Sequence, residues 1–321
     1  MRFVLLVAMA LIVQWHIVPV AAQTFPTRAV RFILPFGPAS GTDITARLLA
    51  DRLSARWGKP VVVENRPGGD GFVAINAFIS ANDDHTLLLV PVGTFAVHPY
   101  THDKLPYDAE RDLLPIANVS SIVLSLAAPA SLKIGSLKEF VDLVRANPGK
   151  FNAAAAAGNS DFLLGGFLKG HQLQMAKVPY RDIMQGPNDL AEARIHLLAS
   201  SLTIVQPLKQ AGRITVLAVT SPKRAPSSPD VPTVAEAGFP ALQLESLIGV
   251  FGPRGMPVEL RERVAADIRS VIDANPDIAK KLEATGMLVD VRAPGAFNAG
   301  IAELRGKLAV IAKALDMKVA Q

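Results

Sequence analysis

Residues 30–58 read VRFILPFGPASGTDITARLLADRLSARWG, and the order of features in this stretch decides what fold to expect. A short apolar run at 30–34, bounded by Pro35, has the pattern of a buried strand in a parallel sheet. Ile44, Leu48, Leu49, Leu53 and Trp57 then fall on one stripe at helical spacing, and Gly58 supplies a stop. Between strand and helix lies a tight loop of Phe36, Gly37, Pro38, Ala39, Ser40, Gly41, Thr42 and Asp43. Ser40 followed by Asp43 fits a capping pattern, which starts the helix near 40–42.

The first turn of a helix carries backbone N–H groups without internal partners, and the macrodipole puts partial positive charge there. Glycines let that backbone approach a ligand closely, and Ser40 and Thr42 add hydroxyl donors. A small anion, most simply a carboxylate, can bind such a loop without Arg or Lys. The local residues leave a second reading open, that of an ordinary capped turn.

Outward from this stretch, 61–64 reads as a second strand, 72–80 as a helix and 86–90 as a third strand, with a turn at 91–94 into a short helix. This β-α-β-α-β order indicates a parallel sheet. The glycine cluster at 68–71 lacks the Lys-Ser/Thr of a phosphate loop, and GxGxxG is absent, so it reads as a tight turn. Apolar stretches at 114–126 and 244–252 are candidate crossings between two lobes. Between them the β/α alternation restarts: a capping box at 136–139, a strand region at 151–157, the loop Gly158-Asn159-Ser160-Asp161, a helix at 162–173, and strands at 176–179, 195–199 and 215–220. Helices at 257–274, 276–284 and 294–315 close the chain around a strand at 287–291. Ligand sites in such sheets sit at the carboxyl ends of strands, which would face the loop at 37–43 toward the loop at 158–161.

The N-terminus stands apart. Arg2, an apolar run at 3–13 and Val20-Ala21-Ala22 before Gln23 have the form of a secretory signal peptide cut after Ala22. The chain has 321 residues, half of them hydrophobic, enough for two cores. The absence of cysteine excludes disulfides, thiol catalysis and cysteine metal sites. The net charge of +5 is dispersed, without basic runs or aromatic interleaving, so nucleic acid is not an expected partner. The nearest approach to a nucleophile elbow, at 37–41, is not G-x-S-x-G. No carboxylate pair is set for acid–base work, and His98 and His102 lack a third ligand at metal spacing and read as surface histidines. Neither an enzyme nor a cofactor or metal site is expected.

The blocks RFILPFGPASGTDITARLLADRLS, KPVVVENRPGGDG, KLPYDAERDLLPIA, GRITVLAVTSPKRAPSSPDVPTVAEAG and FGPRGMP are collinear with a known group over nearly all of the mature chain. On these residues the chain resembles the substrate-binding receptors of tripartite tricarboxylate transporters, the Bug receptors of the bacterial periplasm. The resemblance implies an α/β two-lobed periplasmic-binding-protein fold of type II-like form, with two mixed sheets flanked by helices and two hinge crossings. It implies a signal peptide at 1–22, a first lobe of 23–122 and 248–321, and a second lobe of 123–247. A monomer that closes on a small organic carboxylate and delivers it to membrane subunits of a tripartite transporter is the function implied. A membrane sensor is the alternative partner, and an extracytoplasmic hydrolase a weaker alternative.

In that family, loop amides, hydroxyls and bridging water hold the ligand rather than an arginine clamp, which favours the ligand-site reading of the 36–43 loop. The candidate ligand-binding residues are Phe36, Gly37, Ala39, Ser40, Gly41, Thr42, Asp43, Gly93, Thr94, Gly158, Asn159, Ser160, Arg181 and Ser200. Asp43 has a capping role as its other reading, and Arg181, beside Asp182, that of a solvated loop residue. A bulky residue at Gly41 is expected to block the ligand with modest loss of stability. Departures from the family pattern fall mainly in the second lobe. Pro38-Ala39-Ser40 stands at a glycine-type position, residues 181–185 replace Lys-Gly-Gly and a proline, Ser200-Ser201 replaces Asp-Asn, and Leu247 replaces a tryptophan. These changes bear on which ligand is bound, not on the fold.

Overall fold

The apolar run Val30–Leu34 is a strand buried at every position but Arg31, as a sheet covered on both faces requires. The computed structural model describes residues 25–180 and 183–319; the leader at 1–22, Arg181 and Asp182 lie outside the described residues. Eleven strands are described: β1 (Val30–Leu34), β2 (Val61–Asn65), β3 (Thr86–Pro91), β4 (Leu114–Ile122), β5 (Leu124–Pro129), β6 (Phe151–Ala155), β7 (Met175–Lys177), β8 (Leu197–Ser201), β9 (Ile214–Val219), β10 (Ser246–Gly252) and β11 (Met287–Arg292). They form one sheet of order β11-β4-β10-β3-β1-β2 and a second of order β7-β6-β8-β5-β9.

Both sheets are mixed, and in the same way. β1 runs parallel to β2 and β3, with Phe32 opposite Val63 and Leu87. β6 likewise runs parallel to β7 and β8. The first strand to arrive from the other sheet enters antiparallel between two neighbours: β10 between β3 and β4, and β5 between β8 and β9. Only Val123 separates β4 from β5 at the first crossing. Thr220 ties the two crossings side by side, its N–H donating to Leu124 O (2.9 Å) and its hydroxyl to Leu244 O (2.8 Å).

Alternation along β1 and β3 feeds two cores. Phe32, Leu34, Leu87 and Leu89 pack with Leu49 and Leu53 of the Gly41–Trp57 helix and with Val264 and Ile268 of the Val258–Ala274 helix. Ile33, Leu88 and Val90 face the other way, into a core that continues to Leu126, Phe140, Phe167 and Leu217 of the second sheet. A third cluster lines the far face of the second sheet. Within the Gly41–Trp57 helix the buried face includes Thr42, Thr45, Ala46 and Ala50 beside Leu49 and Leu53, whereas Ile44, Leu48 and Trp57 of the expected stripe are only half-buried. The short residues let the helix lie close on the sheet.

The Pro294–Ala314 helix packs on β4 and also on the Asn159–Gly170 helix of the second sheet, so it straddles both units. Gly165 and Gly166 permit this approach: a Cβ on either would come within 2.9 Å of Leu315 Cδ1 or 3.2 Å of Ile311 Cγ2. The structure adds helices that the sequence reading lacks, including Gly186–Ala191 and Leu202–Gln210, the latter with Pro207 inside it. The helix expected at 162–173 is Asn159–Gly170, so Asn159 and Ser160 belong to its first turn.

Candidate functional site

The loop after β1 is built around one carboxylate. Ser40 caps the Gly41–Trp57 helix, its hydroxyl accepting from the Asp43 N–H at 3.2 Å. The buried Asp43 carboxylate reaches back to accept the Ala39 N–H at 2.9 Å, and it also accepts from Arg47 Nε and from Asn65 Nδ2 (2.9 Å). Asn65 in turn donates to Phe36 O (2.8 Å) and accepts from Arg47 at 3.0 Å. Burial opposes ionisation of Asp43, but the Arg47, Asn65 and Ala39 donors outweigh it and hold the carboxyl below its ordinary value. Asp43 therefore spends its charge on shaping the loop, and Arg47 is committed to Asp43. Ala39 has φ 64°, a left-handed conformation that glycine adopts without strain.

Gly41 carries a core contact that the expected loop role did not include. A Cβ there would point into the core, 3.0 Å from the Sδ of the buried Met287, so a larger residue strains the core rather than merely obstructing the loop. Around Gly37, by contrast, a Cβ would meet nothing within 4 Å.

The parallel pairing of β1 and β3 puts their carboxyl ends at one edge of the first sheet. Gly71 joins them: a Cβ there would meet Thr94 Cγ2 at 2.6 Å and Pro35 Cβ at 3.5 Å. The turn at 68–71 has positive φ throughout, which explains its glycines. His98 braces it. Contrary to the surface reading, His98 is buried, donating from Nε2 to Asp70 O (3.0 Å) while Nδ1 faces the Tyr107 hydroxyl at 2.7 Å and Phe72 stacks on the ring.

The second sheet brings its own carboxyl edge to this place. β6 ends at Ala155, and the chain turns through Gly158 (φ 81°) into the Asn159–Gly170 helix, which has no side-chain cap. Asn159 and Ser160 are buried. The Asn159 carboxamide lies against Gly93, where a Cβ would come 2.4 Å from its Cγ and Oδ1. Neither Oδ1 nor Nδ2 has a hydrogen-bond partner among the described residues. A Cβ on Gly158 would lie 3.8 Å from Gly93 O. β8, beside β6, carries the buried Ser200 as its last residue but one and ends at Ser201, where the Leu202–Gln210 helix begins, again without a side-chain cap. Thr203 of that helix donates its hydroxyl to Thr285 O.

Of the expected residues, then, Gly93, Gly158 and Asn159 meet directly, and Thr94 is linked to the end of β1 through Gly71. Phe36, Gly37, Ala39, Ser40, Gly41, Thr42 and Asp43 form the adjoining loop, with Phe36 exposed and Thr42 and Asp43 buried. Ser160 follows Asn159 in its helix, Ser200 is the last residue but one of the neighbouring strand β8, and Arg181 lies outside the described residues. Sequence reasoning missed the Leu202–Gln210 N-terminus, because Pro207 argues against a helix there.

Among the described residues, Asp83, Asp84 and His85 have potential ligand atoms within 4.8 Å of one another. They sit at the amino end of β3, the opposite edge of the sheet, and are already engaged. Asp83 accepts from Arg28 and Thr86, His85 Nδ1 contacts Asp84 at 2.5 Å, and Nε2 accepts the Thr27 N–H at 3.0 Å. A cavity of about 590 Å³ beside them is lined by Phe25, Thr27, Arg28, His85 and Arg263, none of them expected site residues. No described helix is long and apolar enough to cross a membrane.

Comparison with known proteins agrees with this architecture. The protein BugT of Bordetella pertussis is 32% identical over 243 residues, covering 74% of each chain. A Rhodopseudomonas palustris protein solved with adipate is 26% identical with a TM-score of 0.78, covering 92% of this chain and 99% of that one. MatC from Rhodopseudomonas palustris with bound malate is also 26% identical, with a TM-score of 0.74, covering 91% of this chain and all of that one. The profile described as tripartite tricarboxylate transporter family receptor matches residues 45–314. The chain belongs to the tripartite tricarboxylate transporter receptor family.

Proposed function

We propose that this protein is an extracytoplasmic solute receptor of the periplasm, exported by its N-terminal leader, whose two lobes close on a small organic carboxylate and present it to the membrane subunits of a tripartite transporter. One observation carries the reading. The Gly41–Trp57, Asn159–Gly170 and Leu202–Gln210 helices begin at the meeting edges of the two sheets, and the last two begin without a side-chain cap. Two of the amides in these last two turns have backbone acceptors, Leu202 N–H donating to Val123 O and Asp161 N–H to Gly158 O. Both helix starts remain without side-chain caps, and such starts attract a carboxylate, with dipoles from both lobes favouring it most when the lobes are closed. The adipate and malate of the two relatives are carboxylates of this class. The boundaries that follow are 23–122 with 248–321 and 123–247, hinged at Val123 and beside Thr220, and the site comprises the candidate residues given above.

Thermal unfolding of the mature protein against mono-, di- and tricarboxylates tests the proposal. A ligand present at 100 times its Kd adds about 2.7 kcal/mol of stability. A broad panel of acids that leaves the transition unmoved rejects it. Loss of acid uptake on deletion of the protein tests the transporter as partner.

A further inference from the structure

We propose that Asn159 makes this receptor selective for carboxylates that carry a hydroxyl group over their deoxy counterparts. The inference rests on the receptor reading above and deepens it by naming the ligand class.

Asn159 is 5% exposed, and both polar atoms of its carboxamide are buried without a partner. Leaving a donor and an acceptor unpaired in the interior is costly, so a group that satisfies both gains more than its own hydrogen bonds. The chemistry of the amide states what that group must be. Nδ2 donates and Oδ1 accepts, so a single small group that satisfies both has to accept and donate. A hydroxyl does both. An ionised carboxylate accepts only and would turn its lone pairs toward Oδ1, and a methylene does neither.

Gly93 fixes the orientation. A Cβ at residue 93 would lie 2.4–2.5 Å from Cγ, Oδ1 and Nδ2 together, so the amide lies flat against the glycine Cα. Gly93 follows β3 of the first sheet and Asn159 follows β6 of the second, so the amide is held in place only when the two lobes are together. The ligand's carboxylate goes to the uncapped helix starts, and its hydroxyl goes to Asn159.

Isothermal titration of the mature protein with malate against succinate, and with lactate against propionate, measures the effect directly. In the wild type at least one pair binds with the hydroxy acid about tenfold or more tighter than its deoxy partner, because a site built to pair a hydroxyl rejects the analogue lacking it. In Asn159→Leu that ratio falls to about threefold or less. Asn159→Ala asks for no additional space and is expected to lose the ratio equally, so the result stands if the Leu variant does not fold. Equal affinity within both pairs in the wild type, or a ratio unchanged in both variants, overturns the role of Asn159 while leaving the receptor intact. A wild type that binds none of these acids, nor any other of the panel, overturns the receptor reading and this inference with it.

Discussion

Gly93 and Asn159 meet across the two sheets, with the carboxamide of Asn159 lying where a side chain on Gly93 would have to go. The contact joins the segment after β3 to the first turn of the Asn159–Gly170 helix. The close approach of the two sheets at this point thus depends on the absence of a single methyl group.

Gly93→Ala should therefore weaken ligand binding with little effect on either lobe alone. The methyl would meet the Asn159 amide at 2.4 Å, closer than real contacts allow, so it acts as a wedge at the interface. The expected result is at least a tenfold rise in Kd for whichever acid the wild type binds, together with a larger radius of gyration in solution scattering. Unchanged affinity would place closure elsewhere.

At Gly41 the effect should appear in stability. Its Cβ direction points at Met287, which is 1% exposed, and a leucine must displace that thioether. Overpacking of this kind costs about 1–3 kcal/mol, so urea unfolding of Gly41→Leu should show the loss without any ligand. Combining it with Met287→Ala should recover part of it. Gly37→Ala, where a methyl meets open space, should melt like the wild type.

Ala39 offers a gain in stability. Its φ of 64° is strained for alanine, by about 1 kcal/mol, while a glycine there adds unfolded-state freedom that offsets about half of this. Ala39→Gly should thus raise stability slightly, by about 0.5 kcal/mol, and keep the N–H bond to Asp43. A loss of 1 kcal/mol or more would mean the loop draws stability from the Ala39 methyl.

The fold was legible where periodicity is strong. The run at 30–34, the capping by Ser40 and the strand–helix alternation on either side of 114–126 all correspond to observed elements. The start of the Gly41–Trp57 helix was legible too, because Ser40 three residues before Asp43 is a local capping signal. What local pattern cannot carry is which distant segment touches which. Gly93 and Asn159 are far apart in sequence, and nothing near either marks the unpaired amide. His98 failed for the same reason, since its burial is set by Phe72 and Tyr107. Pro207 concealed a helix whose packing outweighs the missing hydrogen bond.

Asp43→Asn should loosen the loop and reveal the ionic share of its stability. The Asp43 carboxyl titrates below its ordinary value in the folded protein, so its contribution is fully present above about pH 4, the unfolded value. It is lost as pH falls through the folded value. Removing the charge costs about 2 kcal/mol, the worth of a charge-assisted hydrogen bond. Urea unfolding should show the gap between wild type and variant at pH 7 narrowing below pH 4. A gap independent of pH would assign the loss to packing.

His98 sets a second, higher window. Burial holds its ring below the ordinary histidine value, and it sits between the Asp70 carbonyl and the Tyr107 hydroxyl, whose own titration burial pushes up. The neutral ring donates from Nε2 and accepts at Nδ1, so a second proton would face the Tyr107 hydroxyl and force it to turn. As pH falls below about 6.5 the unfolded chain takes up the proton first, and the native state loses up to about 1.4 kcal/mol per pH unit until the folded value is reached. His171 and His196, lowered chiefly by burial as well, add to the same slope. His98→Gln should be less stable than the wild type at pH 7.5, and its unfolding free energy should fall less between pH 7 and 5.5. If the two proteins stay a constant distance apart across that range, His98 takes up its proton as readily folded as unfolded, and the brace beneath Gly71 does not depend on a neutral ring.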